Sequence, residues 1–278
     1  MPERCLEASA SIRINYKIFN LLRMPFVDTS DVRSLFDLLL FYEKELSSDS
    51  LREFYTYLRN LCVIIFKADA QNEEINHTLH DLYKDNLHRG YLHYEGRLHS
   101  GTYLAVCNNA IWLKKYAWAL EFIEKYKNEI IDENETFDFY RLNMANYLFA
   151  MGRFQDCLDY LPDTSPAVGY LLQGKRLELK ALYELQSDRF SYRLDNFKMF
   201  LVRTSPKLLS ENQKQVNVDF ANLLHQIVNS IPGDAQRSRL VVGRIQDKKQ
   251  AADWRWLLEK AMALKNPSPL TAPTPLPH

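Results

Sequence analysis

The chain has little of the residues that form tight turns and covalent or metal cross-links. Only 8 of its 278 residues are glycine, a composition that disfavours turn-rich β architectures. The four cysteines lie far apart and form no CxxC pair, which argues against a disulfide framework and a structural zinc site. Because unpaired cysteines are typical of a reducing compartment, we expect a cytoplasmic protein.

The chain also has neither a charge excess nor a long apolar run. Its 35 basic residues balance its 35 acidic residues, so no long-range field attracts nucleic acid or an anionic membrane. The densest apolar runs, 35–41 and 61–66, are too short to cross a bilayer, and residues 1–11 have no signal-peptide core. The sequence therefore predicts no nucleic-acid partner and no membrane insertion.

What the sequence does have is helical periodicity. Apolar residues in 51–66 recur at steps of three and four, which places them on one buried stripe of a helix. Ser50 followed by Glu53 predicts a capping box at the start of this helix. Ser210 followed by Gln213 predicts a capping box at the start of another helix. The remaining stripes and breakers give about a dozen helices joined by short turns and no convincing strand, so we predict an all-α fold of helical hairpins.

Two segments, 103–126 and 141–161, share a pattern of small and aromatic residues. In each, a small residue of the first helix precedes a small residue of the second helix by twelve positions, and an aromatic residue stands three positions before the latter. Small side chains let the two helices of a hairpin approach closely, while a large ring fills the space where they diverge. The small residues are Cys107, Ala119, Ala145, Gly152 and Cys157, and the aromatic residues are Tyr116 and Phe154.

The segment 141–161 (RLNMANYLFAMGRFQDCLDYL) resembles the centre of a tetratricopeptide (TPR) repeat, although Arg141 stands where the family usually has tryptophan. The chain as a whole is similar to large uncharacterised TPR-like helical proteins of bacteria. This resemblance implies a right-handed α-α superhelix, or solenoid, of degenerate TPR-like hairpins over residues 12–264. A flexible segment at 1–11 precedes it, and a Pro-rich disordered tail at 265–278 follows it. The bacterial proteins often extend further upstream. The resemblance therefore also implies that this chain is the carboxy-terminal part of a longer solenoid.

The resemblance further implies a binding groove, because TPR superhelices turn their first helices toward a concave face. Asn108 follows the small residue of the first segment, and Asn143 and Asn146 flank that of the second. These positions resemble the asparagines with which TPR domains hold a peptide backbone or a terminal carboxylate. Cations follow on the next inward helix, so the predicted groove consists of Asn108, Asn143, Asn146, Lys175, Arg176 and Lys180. Leu104 replaces the first lysine of a carboxylate clamp, which argues against chaperone-tail binding, and ordinary solvated polar residues are the alternative interpretation.

No complete set of catalytic, metal-binding or cofactor-binding residues can be assembled from the sequence. His77, His80 and Asp81 share one helix face at metal-ligand spacing, but no further ligand is apparent, and a solvated face is the favoured interpretation. The histidines of 88–99 lack a partner nucleophile or carboxylate pair. The glycines form neither a dinucleotide-binding nor a Walker pattern, and the cysteines of the two matching segments are interpreted as buried packing residues. We therefore predict no metal, no cofactor and no enzymatic activity.

Two functional hypotheses fit this pattern. The first is a non-enzymatic protein–protein interaction scaffold that binds a peptide or a partner helix in its concave groove. The second is a structural or oligomerisation module, since the terminal hairpins of a solenoid leave apolar faces open to a second copy or to another solenoid. In that case the hairpin at 12–46 is the predicted dimer contact. Nothing in the residues identifies the partner.

Overall fold

Residues 9–69, 72–131, 139–162, 168–231 and 233–265 are described by a computed structural model. Thirteen α-helices, one 3₁₀ turn and three short strands occur in these residues, so the predicted all-α fold is confirmed. The helices are α1 (Ala10–Arg23), α2 (Thr29–Tyr42), α3 (Ser48–Ala68), α4 (Glu73–His88), α5 (Ser100–Trp112), α6 (Tyr116–Tyr126), α7 (Phe139–Ala150), α8 (Phe154–Tyr160), α9 (Val168–Glu184), α10 (Phe190–Arg203), α11 (Glu211–Val228), α12 (Ala235–Asp247) and α13 (Trp254–Ala263). α1 begins within the predicted flexible segment, whereas residues 1–8 and the predicted tail from residue 266 lie outside the described residues.

A short sheet lies in a region where the sequence predicted no strand. β1 (His93–Tyr94) pairs antiparallel with β2 (Arg97–His99), and β2 pairs in parallel with β3 (Ile130–Ile131). Gly96, at φ +75°, allows the tight turn between β1 and β2. The prediction was wrong here because strands of two or three residues carry no alternating pattern. The sheet joins the chain before α5 to the chain after α6.

The chain divides into two compact units between Gly152 and Arg153. The first unit contains α1 to α7 and the sheet, and the second contains α8 to α13. The sequence predicted one solenoid over 12–264, because neither a linker composition nor a charge shift marks this position. Each unit has its own buried apolar residues.

In the first unit, α2 packs against α3, α3 packs against α4, and α5 packs against both α6 and α7. Three residues of the repeat pattern, Cys107, Ala119 and Ala145, are fully buried, as that pattern predicts. Tyr103 of α5 is also fully buried, and its hydroxyl donates a hydrogen bond to the carbonyl oxygen of Ile123 at 2.9 Å. This bond ties α5 to α6.

Gly152 does not occupy a packing position, contrary to the prediction. It is exposed, and an added Cβ atom would meet no neighbouring atom within 4 Å. Its φ of +73° is left-handed, and its N–H donates to the carbonyl oxygen of Phe149 at 3.0 Å at the end of α7. Lys114 (φ 57°) and Gln186 (φ 50°) occupy equivalent left-handed turns after α5 and α9. Glycine is therefore favoured at position 152 by the backbone of the turn and not by a close helix contact.

In the second unit, buried residues of α9, α10 and α11 form a core with the last two helices. Phe197 of α10 meets Phe220 of α11 edge to face, with 6.2 Å between the ring centroids. α13 packs against α11 and α12, and the indole N–H of Trp254 donates to the carbonyl oxygen of Ile245 at 2.9 Å. Cys157 of α8 is fully buried, as predicted. α13 is therefore an integral part of this core.

The helix starts confirm one predicted cap and correct another. Ser210 and Gln213 form the predicted capping box of α11, with the hydroxyl of Ser210 accepting from the main-chain N–H of Gln213 at 3.3 Å. The box predicted at Ser50 is wrong, because α3 begins at Ser48 and is capped by Ser47. The hydroxyl oxygen of Ser47 accepts from the N–H of Ser50 at 3.2 Å. With three serines so close together, the sequence does not determine which one caps the helix.

Candidate functional site

The structure places the three predicted groove asparagines in the first unit, on two helices that pack against each other. Asn108 lies on α5, and Asn143 and Asn146 lie on α7. Asn143 is fully buried, and its side-chain amide donates to the carbonyl oxygen of Tyr103 at 3.2 Å. Contrary to the prediction, Asn143 therefore ties α7 to α5 and does not line an exposed surface.

Asn108 and Asn146 are half-buried, and no side-chain hydrogen bond holds either of them within the described residues. The side chain of Asn108 makes no hydrogen bond within the described residues. Nδ2 of Asn146 is buried and has no hydrogen-bond partner in the part of the chain that the structure describes. A buried donor without an acceptor costs about 1–3 kcal/mol, so native structures contain few of them. Because Nδ2 of Asn146 is covered by the protein, an acceptor from another molecule would remove this cost once the groups that cover the amide move aside.

The amides of Asn108 and Asn146 are chemically suited to a peptide main chain. A side-chain amide offers both a donor and an acceptor, and each non-proline residue of a peptide offers the same pair. Because Asn108 and Asn146 lie on the neighbouring helices α5 and α7, both amides belong to adjacent elements of one unit. Each amide can form hydrogen bonds with an extended segment or with the end of a helix.

The predicted cations lie in the second unit, where two of them belong to an ion-pair network. Nε of Arg176 donates to Asp253 at 2.7 Å, and Nζ of Lys180 donates to the other oxygen of Asp253 at 2.6 Å. Arg176 also donates through Nη1 to Oδ1 of Asn217 at 2.7 Å. Arg176 and Lys180, which were predicted to line the groove, are therefore both paired with Asp253 of the same unit.

Asp253 is the centre of this network and stands at the N-cap of α13 with a left-handed backbone (φ 50°). Burial alone would raise the pKa of its carboxyl, but Lys180 and Arg176 outweigh burial and hold that pKa well below its usual range. The third predicted cation, Lys175, places its ammonium 5.2 Å from the ring centroid of Phe200, a cation–π contact. All three predicted cations therefore make contacts within the second unit.

His80 belongs to a buried polar network that the sequence did not indicate. Nδ1 of His80 donates to Oδ1 of Asn109 at 3.0 Å, and Nδ2 of Asn109 donates to the main-chain and side-chain oxygens of Asn76 at 3.1 and 2.7 Å. Burial, with Lys115 nearby, lowers the pKa of His80, so its imidazole is neutral. The network ties α4 to α5. The described residues contain no group of three or more His, Cys, Asp or Glu side chains that could hold a metal ion.

The thiols of the described residues are buried. Burial raises the pKa of Cys62 and that of Cys157 to about 12, and it raises the pKa of Cys107 as well. A thiol with so high a pKa is protonated at neutral pH and is a poor nucleophile. The interpretation of Cys107 and Cys157 as packing residues is therefore confirmed, while Cys5 lies outside the described residues.

The first unit also contains cavities that the sequence did not indicate. A cavity of about 310 Å³ lies between α2, α3 and α4 and is lined by Thr29, Val32, Arg33, Phe36, Leu58, Thr78, Asp81, Leu82 and Asp85. A smaller one, of about 200 Å³, lies between α4 and α6 and is lined by Lys84, Leu87, His88, Trp118, Glu121, Phe122, Lys125 and Tyr126. Each is formed by side chains from helices that are distant in sequence, so neither leaves a local sequence pattern.

In the described ranges, no helix combines the length and the apolar character needed to cross a bilayer. The chain matches no protein-family model, and comparisons with curated proteins and with solved structures found no similar protein. A functional proposal therefore depends on the residues of the chain and on their geometry.

Proposed function

We propose that the chain is a non-enzymatic protein–protein interaction scaffold whose first unit binds an extended peptide or a helix of a partner protein. The observation that carries the proposal is the Nδ2 donor of Asn146, which is buried without an acceptor among the described residues. Asn108 supports it, because its half-buried amide on the neighbouring helix α5 makes no hydrogen bond with a described residue. A carbonyl oxygen of the partner supplies the acceptor that the described residues do not.

The TPR-like interpretation supports the same function. Cys107, Ala119 and Ala145 are buried as the repeat pattern requires, and a left-handed turn recurs after α5, α7 and α9. We therefore propose that these hairpins belong to a right-handed TPR-like superhelix with Asn108 and Asn146 on its inner helices. The partner is a protein or peptide. Since the cysteine spacing is typical of a reducing compartment, we place the interaction in the cytoplasm.

Selection of a peptide ligand tests this proposal. A library of random peptides is selected against the immobilised full chain, and the affinity of the enriched peptides is then measured in solution. Replacing Asn108 and Asn146 together by alanine is expected to weaken this binding about tenfold or more, because each lost hydrogen bond contributes about 1 kcal/mol.

Asn60→Ala is the matched control, because Asn60 is an exposed asparagine of α3 in the same unit. It should leave the affinity unchanged, and neither variant should unfold at a lower temperature than the parent chain. Asn143 is left intact because its bond to Tyr103 stabilises the unit. Equal binding by the parent and the double variant, or a library that yields no ligand, contradicts the proposed groove.

A second candidate function, oligomerisation through the first hairpin, is favoured by a specific observation. Large apolar side chains are exposed on α1, on α2 and in the turn between them, namely Tyr16, Phe19, Leu22, Met24, Phe26, Leu40 and Phe41. Phe26 is 72% exposed and Phe41 is 75% exposed. On α1, the exposed apolar residues recur every three positions, on a face distinct from the buried one. Apolar side chains exposed in such number on one hairpin favour a contact with another protein.

If this hairpin is the contact, the full chain sediments as a dimer, and Phe19→Glu combined with Leu22→Glu converts it to a monomer. The reason is that a carboxylate buried in an apolar contact loses its hydration. Leu240→Glu is the control, because Leu240 of the second unit is as exposed as Phe19, at 53%. A parent chain that stays monomeric at its highest soluble concentration, or a dimer that survives the two glutamates, counts against this alternative.

A further inference from the structure

The cavity between α2, α3 and α4 has a size and a lining that fit a small aliphatic ligand. Its volume of about 310 Å³ lies at the lower end of the range for ligand pockets. Val32, Leu58 and Leu82 form the buried apolar part of the lining, and the ring of Phe36 extends it. Such a surface favours a short hydrocarbon chain, because contact with it removes apolar area from water.

The polar part of the lining carries a carboxylate that no described residue pairs with. Asp85 accepts from Nε of Arg89 at 2.9 Å, and Arg33 donates to Glu74 at 3.0 Å, so these two lining residues are already paired. Asp81 forms neither an ion pair nor a hydrogen bond with any residue that the structure describes. The charge that remains available at the cavity is therefore negative, and it belongs to Asp81.

The position of Asp81 on α4 places this charge next to both a hydroxyl group and hydrocarbon. Thr78 lies one turn before Asp81 and also lines the cavity. Its hydroxyl donates to the carbonyl oxygen of Glu74 at 3.0 Å, so its oxygen can still accept a hydrogen bond. An ammonium group has three N–H donors and can use both of these acceptors. Leu82, the residue after Asp81, provides apolar lining beside them.

We propose that this cavity binds a primary ammonium group carried on a short unbranched aliphatic chain. The hydrocarbon lies against Val32, Leu58 and Leu82, and the ammonium contacts Asp81 and Thr78. A lysine side chain of a partner protein and a free alkylamine share this chemistry. The site is independent of the proposed peptide groove, since none of its lining residues lies on α5 or α7.

Calorimetric titration of the full chain with n-pentylamine and with n-pentanol tests the role of the charge. The two probes have the same hydrocarbon chain, and the amine is expected to bind about fivefold more tightly because only the ammonium pairs with Asp81. Asp81→Asn should weaken the amine to the level of the alcohol. Glu53→Gln, which neutralises an exposed acid of α3 outside the cavity lining, should preserve the preference. Thr78→Leu, which fills part of the cavity, should weaken both probes.

A second titration identifies the source of the amine. A short peptide with blocked ends and one central lysine is titrated into the full chain. The same peptide with norleucine in place of lysine is the control for the charge. Tighter binding of the lysine peptide than of pentylamine assigns the cavity to a partner's lysine, and the reverse order assigns it to a free alkylamine, so both results support the site. Equal binding of amine and alcohol, a preference that persists in a folded Asp81→Asn variant, or no binding of any probe overturns the proposal.

Discussion

Replacing Asp253 by asparagine is expected to lower the free energy of unfolding of the second unit by about 3 kcal/mol. The carboxylate contacts Arg176 at 2.7 Å and Lys180 at 2.6 Å, and all three side chains are mostly buried. Asparagine keeps the shape and tolerates the left-handed backbone at this position, but it cannot neutralise the cations. The loss is large because removing one partner of a buried ion pair leaves charge without compensation. Urea denaturation followed by circular dichroism measures it.

Asp195→Asn is the matched control, because Asp195 is an exposed aspartate on α10 of the same unit. It should change the free energy of unfolding by less than about 0.5 kcal/mol, as is usual for surface substitutions. Equal effects of the two substitutions would mean that the Asp253 network does not stabilise the second unit.

The same network makes the second unit sensitive to acid. The pKa of Asp253 is lower in the folded chain than in the unfolded chain, where an aspartate has a pKa of about 3.9. In acid the unfolded state therefore binds more protons, so the stabilisation is complete above about pH 4 and is lost as the pH falls toward the folded pKa. The parent chain should lose more stability between about pH 5 and pH 2 than the Asp253→Asn variant does.

Replacing Asn109 by alanine is expected to lower the free energy of unfolding of the first unit by about 3 kcal/mol. Its amide accepts from Nδ1 of His80 and donates both N–H groups to oxygens of Asn76. All three side chains are buried, so the polar groups of His80 and Asn76 that lose their partner in the variant have little access to water. Each buried polar group left without a partner costs about 1–3 kcal/mol.

Asn108→Ala is the control for this substitution, one residue away on the same helix. Asn108 is half-buried and makes no hydrogen bond in the described part of α5 and its surroundings, so its loss should change stability by less than about 0.5 kcal/mol. The two variants separate stability from binding, since only Asn108→Ala should weaken peptide binding in a chain of normal stability. If both variants unfold equally easily, the roles assigned to the two asparagines are wrong.

The helices were predictable because their signals are local. The apolar stripe in 51–66 and the capping box of Ser210 and Gln213 each depend on residues a few positions apart, and the structure contains both helices. The burial of Cys107 and Ala145 was predictable for a related reason, because close contacts between helices admit only small side chains.

The partners of polar side chains were not predictable, because they depend on residues far apart in the sequence. Asp253 lies 77 positions from Arg176 and 73 positions from Lys180, and no local pattern links them. Asn108 and Asn109 are neighbours, but one step along a helix is a rotation of about 100°, which turns Asn109 toward α4 and leaves Asn108 half-buried. The repeat pattern does not determine which of these two asparagines points toward α4.

Side-chain amide NMR spectroscopy tests most directly the central claim that Asn108 and Asn146 hold the main chain of a partner. The asparagine side-chain N–H signals of the full chain are assigned with single-residue variants and followed during titration with a selected peptide. We predict that the signals of Asn108 and Asn146 shift together as the peptide binds, while the signal of Asn60 stays in place. A peptide that binds and leaves the Asn108 and Asn146 signals unchanged would contradict the claim.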